Sequence, residues 1–249
     1  MADLSILAEL PKYTRDAVRF YWQKRTQQLE KQRKAGGSDQ GLRSSVTGGA
    51  QMDGFIELLT QLVIEAGIAR ENIFCKESLE LPGYFRPTKQ WDLLVVVNRQ
   101  LVAALETKSQ VGPSFGNNFN NRTEEAMGSA LDLWTAFREQ AFGSAIRPWI
   151  GYLFLLEDCA ASTKPVGVKE PHFKVSAEFR DASYAKRYEL FCRRLVLERH
   201  YDSSAFLLSN PREGLNGGFS EPAPDLVFQS FANSLVSRVA AFSGRIAQL

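Results

Sequence analysis

The stretch WDLLVVVNRQLVAALETK, residues 91–108, decides the fold. Two apolar runs of strand type flank the polar break Asn98-Arg99-Gln100, a pattern typical of a β-hairpin. If the chain turns about the middle residue of that break, Asp92 faces Glu106 across the strand pair. Directly opposed residues project to one face of a sheet, and Lys108, two residues further on, shares that face. The sequence therefore predicts two carboxylates and an ammonium group close together.

This combination of charges points to metal-assisted chemistry on a phosphate. Neighbouring carboxylates repel each other unless something neutralises them, and a divalent cation does so. Oxygen ligands favour Mg²⁺, with Mn²⁺ as a substitute, over zinc. Lys108 would orient or deprotonate an attacking water, or stabilise charge in the transition state, which suits phosphodiester hydrolysis. The alternative is that Asp92 only starts a strand and that Glu106 and Lys108 form an exposed pair.

The charge balance hides an uneven distribution along the chain. The 249 residues are 44% hydrophobic and carry 30 basic and 28 acidic side chains, a net charge of +2, which argues against a disordered chain or a wholly basic nucleic-acid module. Residues 1–45 carry 9 basic and 5 acidic side chains, residues 46–159 carry 9 and 14, and residues 160–200 carry 9 and 5. Two basic segments thus flank an acidic middle, as expected for a carboxylate site surrounded by an anion-binding surface, although solvated helix faces give the same pattern.

Histidine and cysteine usage excludes several classes of site. His172 and His200 are too far apart for the HExxH zinc motif or an HNH nuclease site, and neither accompanies a GxSxG elbow. The cysteines, Cys75, Cys159 and Cys192, are also widely spaced, as expected for buried thiols in a reducing compartment. Since there is neither a signal peptide nor an apolar run of membrane-spanning length, the sequence predicts a cytoplasmic protein without a membrane partner.

Periodicity supplies the remaining elements. It predicts helices at 12–34, 51–67, 122–142, 176–199 and 224–248. It predicts strands at 72–76, 91–97, 101–108, 149–158 and 204–209. Loops are expected at 35–50, 109–121 and 159–175. Because no repeat or linker divides the chain, we expect a single domain with a core at roughly 51–158, an N-terminal helix and loop at 1–50 and a C-terminal extension at 159–249.

The element order and the charged cluster resemble the PD-(D/E)XK nuclease superfamily. That resemblance implies an α/β fold in which helices flank a mixed central sheet, here with extra N- and C-terminal helices. The motif maps onto Asp92 and onto Glu106-Thr107-Lys108, although Trp91 stands where the motif has proline. The resemblance implies that the backbone carbonyl of Thr107 joins the two carboxylates as a metal ligand. It further implies another acidic residue on helix 51–67.

Two carboxylates on that helix compete for this additional role. Glu57 is the predicted residue, either as a ligand of a second metal ion or by orienting a ligand. Asp53 lies one turn earlier on the same helix face and is the alternative. Glu57 can equally be a solvent-facing helix charge.

Longer stretches are similar to the XhoI family of type II restriction endonucleases. They are LRSSVTGGAQMDGFIELL at 42–59, WDLLVVV at 91–97 and LETKSQVGPSFGNNFNNRTEEAMGSALDLW at 105–134. The similarity implies a magnesium-dependent homodimer that cuts double-stranded CTCGAG after the first C to leave 5′ TCGA overhangs, with a cognate DNA methyltransferase in the host. The alternatives are a structure-specific nuclease of repair or recombination and a non-catalytic DNA-binding protein of the same fold.

Polar residues beyond the catalytic strand are candidates for DNA contact, because amides read adenine and basic groups bind phosphate. The candidates are Arg43, Gln110, Ser114, Asn117, Asn118, Asn120, Asn121, Arg122, Lys164, Lys169 and Lys174. The alternative for the asparagine-rich segment is a turn that caps the following helix near Thr123. The alternative for the lysines is simple solvent exposure.

Overall fold

The computed structural model describes residues 5–34, 49–142 and 146–246. The helices are α1 (Ser5–Ala8), α2 (Leu10–Lys34), α3 (Asp53–Glu65), α4 (Phe115–Arg138), α5 (Ala160–Thr163), α6 (Tyr184–Leu197), α7 (Pro211–Gly214) and α8 (Phe228–Ile246). The strands are β1 (Ile73–Phe74), β2 (Glu80–Pro82), β3 (Thr88–Gln90), β4 (Leu93–Val97), β5 (Gln100–Gln110), β6 (Trp149–Glu157) and β7 (Ser203–Ser209). Short 3₁₀ turns occur at Gly49–Met52, Arg70–Asn72, Ala177–Phe179 and Pro224–Leu226. No helix in these ranges is long and apolar enough to cross a membrane.

A mixed five-stranded sheet forms the centre of the molecule, in the order β1-β4-β5-β6-β7. The β1–β4 and β4–β5 pairs are antiparallel, whereas the β5–β6 and β6–β7 pairs are parallel. Parallel neighbours need a crossover between them, and α4 and α6 supply it. This arrangement confirms the predicted α/β fold with helices flanking a mixed sheet.

Alternating strand residues pack into two hydrophobic clusters, because successive side chains of a strand point to opposite faces. Leu93 and Leu105 belong to the cluster that α2, α3 and α8 complete. Leu94 and Ala104 belong to the other cluster, with residues of α4 and α6. Glu106 follows Ala104 by two positions, so its side chain continues the face that α4 covers.

The β4–β5 hairpin has the predicted register next to the charged cluster. Leu93 pairs with Leu105, and continuing this register places Asp92 opposite Glu106. A register shift between Val95 and Val96 changes the pairing by one residue nearer the turn. Asn98 and Arg99 both have positive φ, which is the conformation of a tight two-residue hairpin turn.

A second hairpin, which the sequence analysis missed, forms from β2 and β3. Its tip is fixed by Asp132 of α4, whose carboxylate accepts hydrogen bonds from the N–H groups of Tyr84 (2.7 Å) and Phe85 (2.9 Å) and from Arg86 Nε (2.7 Å). At Gly83 an added Cβ would lie 2.5 Å from a backbone oxygen, so only glycine fits there. The hairpin carries Lys89 towards the charged cluster.

The structure shortens or shifts several predicted elements. The helix expected at 51–67 is α3, the one expected at 176–199 is confined to α6 after an irregular stretch, and the one expected at 224–248 is α8. On α2, Val18, Tyr21 and Trp22 are buried, whereas Leu29 is 38% exposed. The prediction of a loop at 109–121 is wrong, because β5 continues to Gln110 and α4 already begins at Phe115.

The early start of α4 has a packing cause. Phe115 and Phe119 lie one helical turn apart, and their rings contact Tyr184, Tyr188 and Phe191 of α6. Such tertiary packing outweighs the low helix propensity of the four asparagines between and beside them. The predicted cap near Thr123 is also wrong, since the Thr123 hydroxyl donates to the Phe119 carbonyl inside the helix.

Candidate active site

Asp92, Glu106 and Lys108 form one charged cluster at the end of the β4–β5 hairpin. The Lys108 ammonium contacts Glu106 Oε1 and lies 3.8 Å from Asp92 Oδ2. The Glu106 side chain is 5% exposed, that of Lys108 21% and that of Asp92 35%. The hairpin register therefore brings together the three groups that the sequence predicted would be neighbours.

Backbone and side-chain donors orient Asp92. Thr107 donates to Asp92 Oδ2 from its N–H (2.6 Å) and from its hydroxyl (3.0 Å). The Asp92 N–H donates to the Leu105 carbonyl (3.1 Å), which ties the start of β4 to β5. These bonds fix one carboxylate oxygen and leave Oδ1 without a hydrogen bond to the described residues.

Lys89 is a second lysine in the cluster, and the sequence analysis did not identify it. Its Nζ lies 2.6 Å from Glu106 Oε2 and 4.8 Å from the centre of the Trp91 ring. Glu106 is thus held between two ammonium groups, one from β3 and one from β5. The signal for this residue was the Pro82-Gly83 turn, which marks a hairpin between 80 and 90.

The electrostatic environment separates the two carboxylates. Burial and the neighbouring charge of Glu106 raise the pKa of Asp92. Burial also acts to raise the pKa of Glu106, but Lys108 and Lys89 outweigh it and lower that pKa. Burial acts to lower the pKa of Lys108, but Glu106 and Asp92 outweigh it, so the pKa of Lys108 is raised and its ammonium stays charged at neutral pH. This state suits orientation and charge stabilisation better than proton abstraction.

The chemistry of the donor set fits Mg²⁺. Asp92 and Glu106 offer hard oxygen ligands, and the raised pKa of Asp92 reflects a site where added positive charge is favourable. Within residues 5–34, 49–142 and 146–246, no three His, Cys, Asp or Glu side chains are grouped closely enough to hold a metal. Mg²⁺ nevertheless binds commonly through one or two carboxylates together with several waters, so two are sufficient.

A cleft of about 590 Å³ opens beside the cluster. Asp92, Thr107 and Lys108 form its floor, and α4 forms one wall. The wall residues share one helix face at spacings of three and four: Asn118, Asn121, Arg122 and Glu125. Three of these are among the predicted DNA contacts.

The remaining candidates of the asparagine-rich segment lie in different environments. Asn117 and Asn120 are exposed on α4 and do not line the cleft, and Ser114 is exposed just before the helix. Gln110 is 4% exposed, and its side-chain oxygen accepts a hydrogen bond from the Tyr188 hydroxyl. The Gln110 amide is thus engaged within the protein and does not line the cleft, and its contact with DNA stays a prediction.

On α3, Asp53 lies nearer the catalytic groups than Glu57 does. Asp53 lines the cleft, and burial together with the charge of Asp92 raises its pKa against the influence of two lysines. Glu57 lines only the neighbouring cavity beside α2, and it accepts a hydrogen bond from Gln61 Nε2 (2.7 Å). The geometry therefore favours the alternative, Asp53, as the additional acidic residue.

Three basic candidates elsewhere, all lysines, do not line the cleft. Lys164, Lys169 and Lys174 are exposed in the segment after β6, and Lys174 lies 3.1 Å from Glu170. Arg43 lies outside the described residues. These positions stay predictions of phosphate contact.

Comparison with known proteins places the chain in a family. The family model of the restriction endonuclease XhoI matches residues 31–221, which include the hairpin, the cleft and α4. The chain belongs to the XhoI family of restriction endonucleases.

Curated relatives of this family resemble most of the chain. The type II restriction enzyme BstVI of Geobacillus stearothermophilus is 57% identical over 84% of this chain and 95% of its own length. The type II restriction enzyme XhoI of Xanthomonas vasicola is 47% identical over 77% of each chain. The type II restriction enzyme AbrI of Azospirillum brasilense is 50% identical over 70% of this chain and 78% of its own length. No solved structure matches the chain.

Proposed function

We propose that this protein is a type II restriction endonuclease that hydrolyses phosphodiester bonds of double-stranded DNA with Mg²⁺. The observation that carries the proposal is the Asp92–Glu106–Lys108 cluster, of which Asp92 and Lys108 line a cleft, in a chain of a restriction endonuclease family. Asp92, Glu106 and the Thr107 backbone carbonyl would hold the ion, with Asp53 or Glu57 as an additional carboxylate. When bound, Mg²⁺ supplies charge neutralisation and an acidified water.

The protein side chains orient the two carboxylates, stabilise charge on the phosphate and bind the DNA strand. Thr107 fixes one oxygen of Asp92, and Lys89 fixes one oxygen of Glu106. The Lys108 ammonium, charged at neutral pH, orients the attacking water and stabilises the extra negative charge that develops on the phosphate. Asn118, Asn121 and Arg122 on the cleft wall would hold the DNA strand against these groups.

The expected target is CTCGAG, cut after the first C to leave 5′ TCGA overhangs, by analogy with the XhoI enzyme. A palindromic site is read best by two identical subunits, so we propose a homodimer. A host that carries such an enzyme would need a methyltransferase for the same sequence. The proposed place of action is the cytoplasm, where host DNA must be protected.

Plasmid digestion tests this function. Incubation of the purified protein with a plasmid of known sequence and Mg²⁺, followed by sequencing of the fragment ends, should give discrete fragments with 5′ TCGA ends. Ends scattered over many sequences would favour a structure-specific nuclease instead. Intact plasmid at all Mg²⁺ and Mn²⁺ concentrations would favour a non-catalytic DNA-binding protein.

A further inference from the structure

A polar corner at the inner end of the cleft has no assigned role. It is a cavity of about 20 Å³ whose lining includes Arg25 of α2, Ser109 of β5 and Arg122 of α4. Four of its lining residues, Gln51, Ser109, Asn118 and Arg122, also line the cleft, so the corner is continuous with it.

The corner contains polar atoms that have no hydrogen-bond partner among the described residues. Gln51 is 6% exposed, and its buried side-chain oxygen has no hydrogen-bond partner. Arg25 Nε is also buried without a partner, and its guanidinium has no carboxylate partner among the described residues. Buried polar atoms are normally paired, so the unpartnered N–H at Arg25 Nε indicates a place for an acceptor atom of a ligand, whereas the Gln51 oxygen, itself an acceptor, would need a donor.

The charge of the corner selects an anion. Arg25 and Arg122 both line it, and Arg122 also acts on the Lys108 ammonium by charge. Arg122 is paired with Glu125 at 2.7 Å, whereas Arg25 has no ion-pair partner in the part of the chain that the structure describes. Two guanidinium groups in one corner repel each other unless an anion lies between them, and a planar guanidinium suits a phosphate in particular.

The dimensions fit one oxygen of a larger group. A cavity of about 20 Å³ exceeds the roughly 10–15 Å³ that one water needs, so it can take one phosphate oxygen while the rest stays in the cleft. The lining residues Ser109 and Gln110 follow Lys108 on β5, and Val111 comes next along the chain, so the three lie about 3–10 Å beyond Lys108. One nucleotide step rises about 3.4 Å, so the corner is within reach of a phosphate next to the scissile one.

We propose that Arg25, together with Arg122, binds a backbone phosphate within about two nucleotides of the cut. This subsite rests on the proposed function and would position the DNA strand over the catalytic cluster. It assigns a DNA-binding role to the N-terminal helix α2. Arg25 is a binding residue for a phosphate that does not react.

Phosphate neutralisation tests the subsite. Duplexes that carry the target are prepared with a single uncharged methylphosphonate at each position around the cut. Binding is measured by fluorescence anisotropy without divalent metal, so that the DNA stays intact. Arg25→Met should weaken binding of the unmodified duplex about 10-fold and reduce the salt slope by about 1. For wild type, one methylphosphonate position near the cut should cost about 10-fold, and this cost should vanish in Arg25→Met.

Two further variants make the result specific. Arg15→Met removes the same charge from an exposed position of α2 and should leave binding unchanged. Arg25→Lys keeps the charge but loses the planar guanidinium, so its affinity for the duplex should lie between those of wild type and Arg25→Met. If Arg25→Met does not fold, Arg25→Lys replaces it in the methylphosphonate measurement. The subsite would be overturned if every methylphosphonate kept its wild-type cost in both Arg25 variants, or if Arg15→Met weakened binding equally. Plasmid cleavage by the wild type, measured separately, reports on the proposed function alone.

Discussion

At the scale of single residues, Glu106 depends on two lysines from different strands. Its side chain is 5% exposed, and each of its oxygens has one ammonium neighbour, Lys89 or Lys108. A buried charge is tolerated when it is paired, and removal of one partner leaves it under-compensated. The site is therefore also a determinant of stability.

The substitution Lys89→Met should lower the free energy of unfolding by about 1–3 kcal/mol, because Glu106 Oε2 loses a charged hydrogen-bond donor in a buried place. Urea unfolding at pH 7 measures this change. Lys164→Met, at an exposed position, is the matched control and should change stability by less than about 0.5 kcal/mol. Equal stability of Lys89→Met and wild type would show that the Lys89–Glu106 pair contributes nothing.

Asp53 and Glu57 can be distinguished by isosteric substitution. Asp53→Asn should slow plasmid cleavage by at least about 10-fold, because Asp53 shares the cleft with Asp92. Glu57→Gln should stay within about 2-fold of wild type, because Glu57 faces another cavity and surface charges matter little. If Glu57→Gln slowed cleavage more than Asp53→Asn did, Glu57 would be the additional acidic residue.

At the scale of elements, the hairpin of β2 and β3 is held by one buried carboxylate. Burial acts to raise the pKa of Asp132, but the N–H of Phe85, Arg86 and the N–H of Tyr84 outweigh it and lower that pKa. A lowered folded-state pKa adds stability above the pKa of the unfolded chain, near 4, and this stability is lost as the pH falls through the folded value.

Asp132→Asn should therefore destabilise the protein by about 1–3 kcal/mol at pH 7, and the difference from wild type should shrink as the pH is lowered below about 4. Urea unfolding of both proteins at a series of pH values measures the difference. A difference independent of pH would mean that the charge of Asp132 does not hold the hairpin tip.

The elements also show what the sequence could predict. The β4–β5 register followed from local signals, since a polar break between two apolar runs defines a hairpin. The extent of α4 did not, because the aromatic contacts of Phe115 and Phe119 come from α6, some 70 residues further along the chain. Lys89 and Arg25 were missed for the same reason: their roles arise from tertiary contacts with Glu106 and with the end of β5.

At the scale of the whole molecule, the net charge of +2 is a sum of opposing regions. Half of the 28 acidic residues belong to the middle of the sequence, residues 46–159, which carries the catalytic cluster, and basic segments precede and follow it. Contacts of arginine with phosphates make DNA affinity depend on salt. The structure adds that Arg122 of α4 lines the cleft together with Asp92, and that Arg25 of α2 lines the corner beside it.

A dimer with two sites should cut both strands in one binding event. A supercoiled plasmid with one target should pass directly to the linear form, and sedimentation equilibrium should give a mass of about twice the 27.9 kDa of one chain. Accumulation of nicked circles by a monomeric protein would contradict the homodimer.

Cleavage by Glu106→Gln tests the role of the charged cluster most directly. The variant keeps the shape of the side chain but loses the carboxylate, so plasmid cleavage with Mg²⁺ should fall by at least about 100-fold. Thermal melting should confirm that the variant is folded, and duplex binding should be equal to wild type or tighter, because a negative charge facing phosphate is removed. A folded Glu106→Gln protein that cleaves at the wild-type rate would contradict the proposed active site.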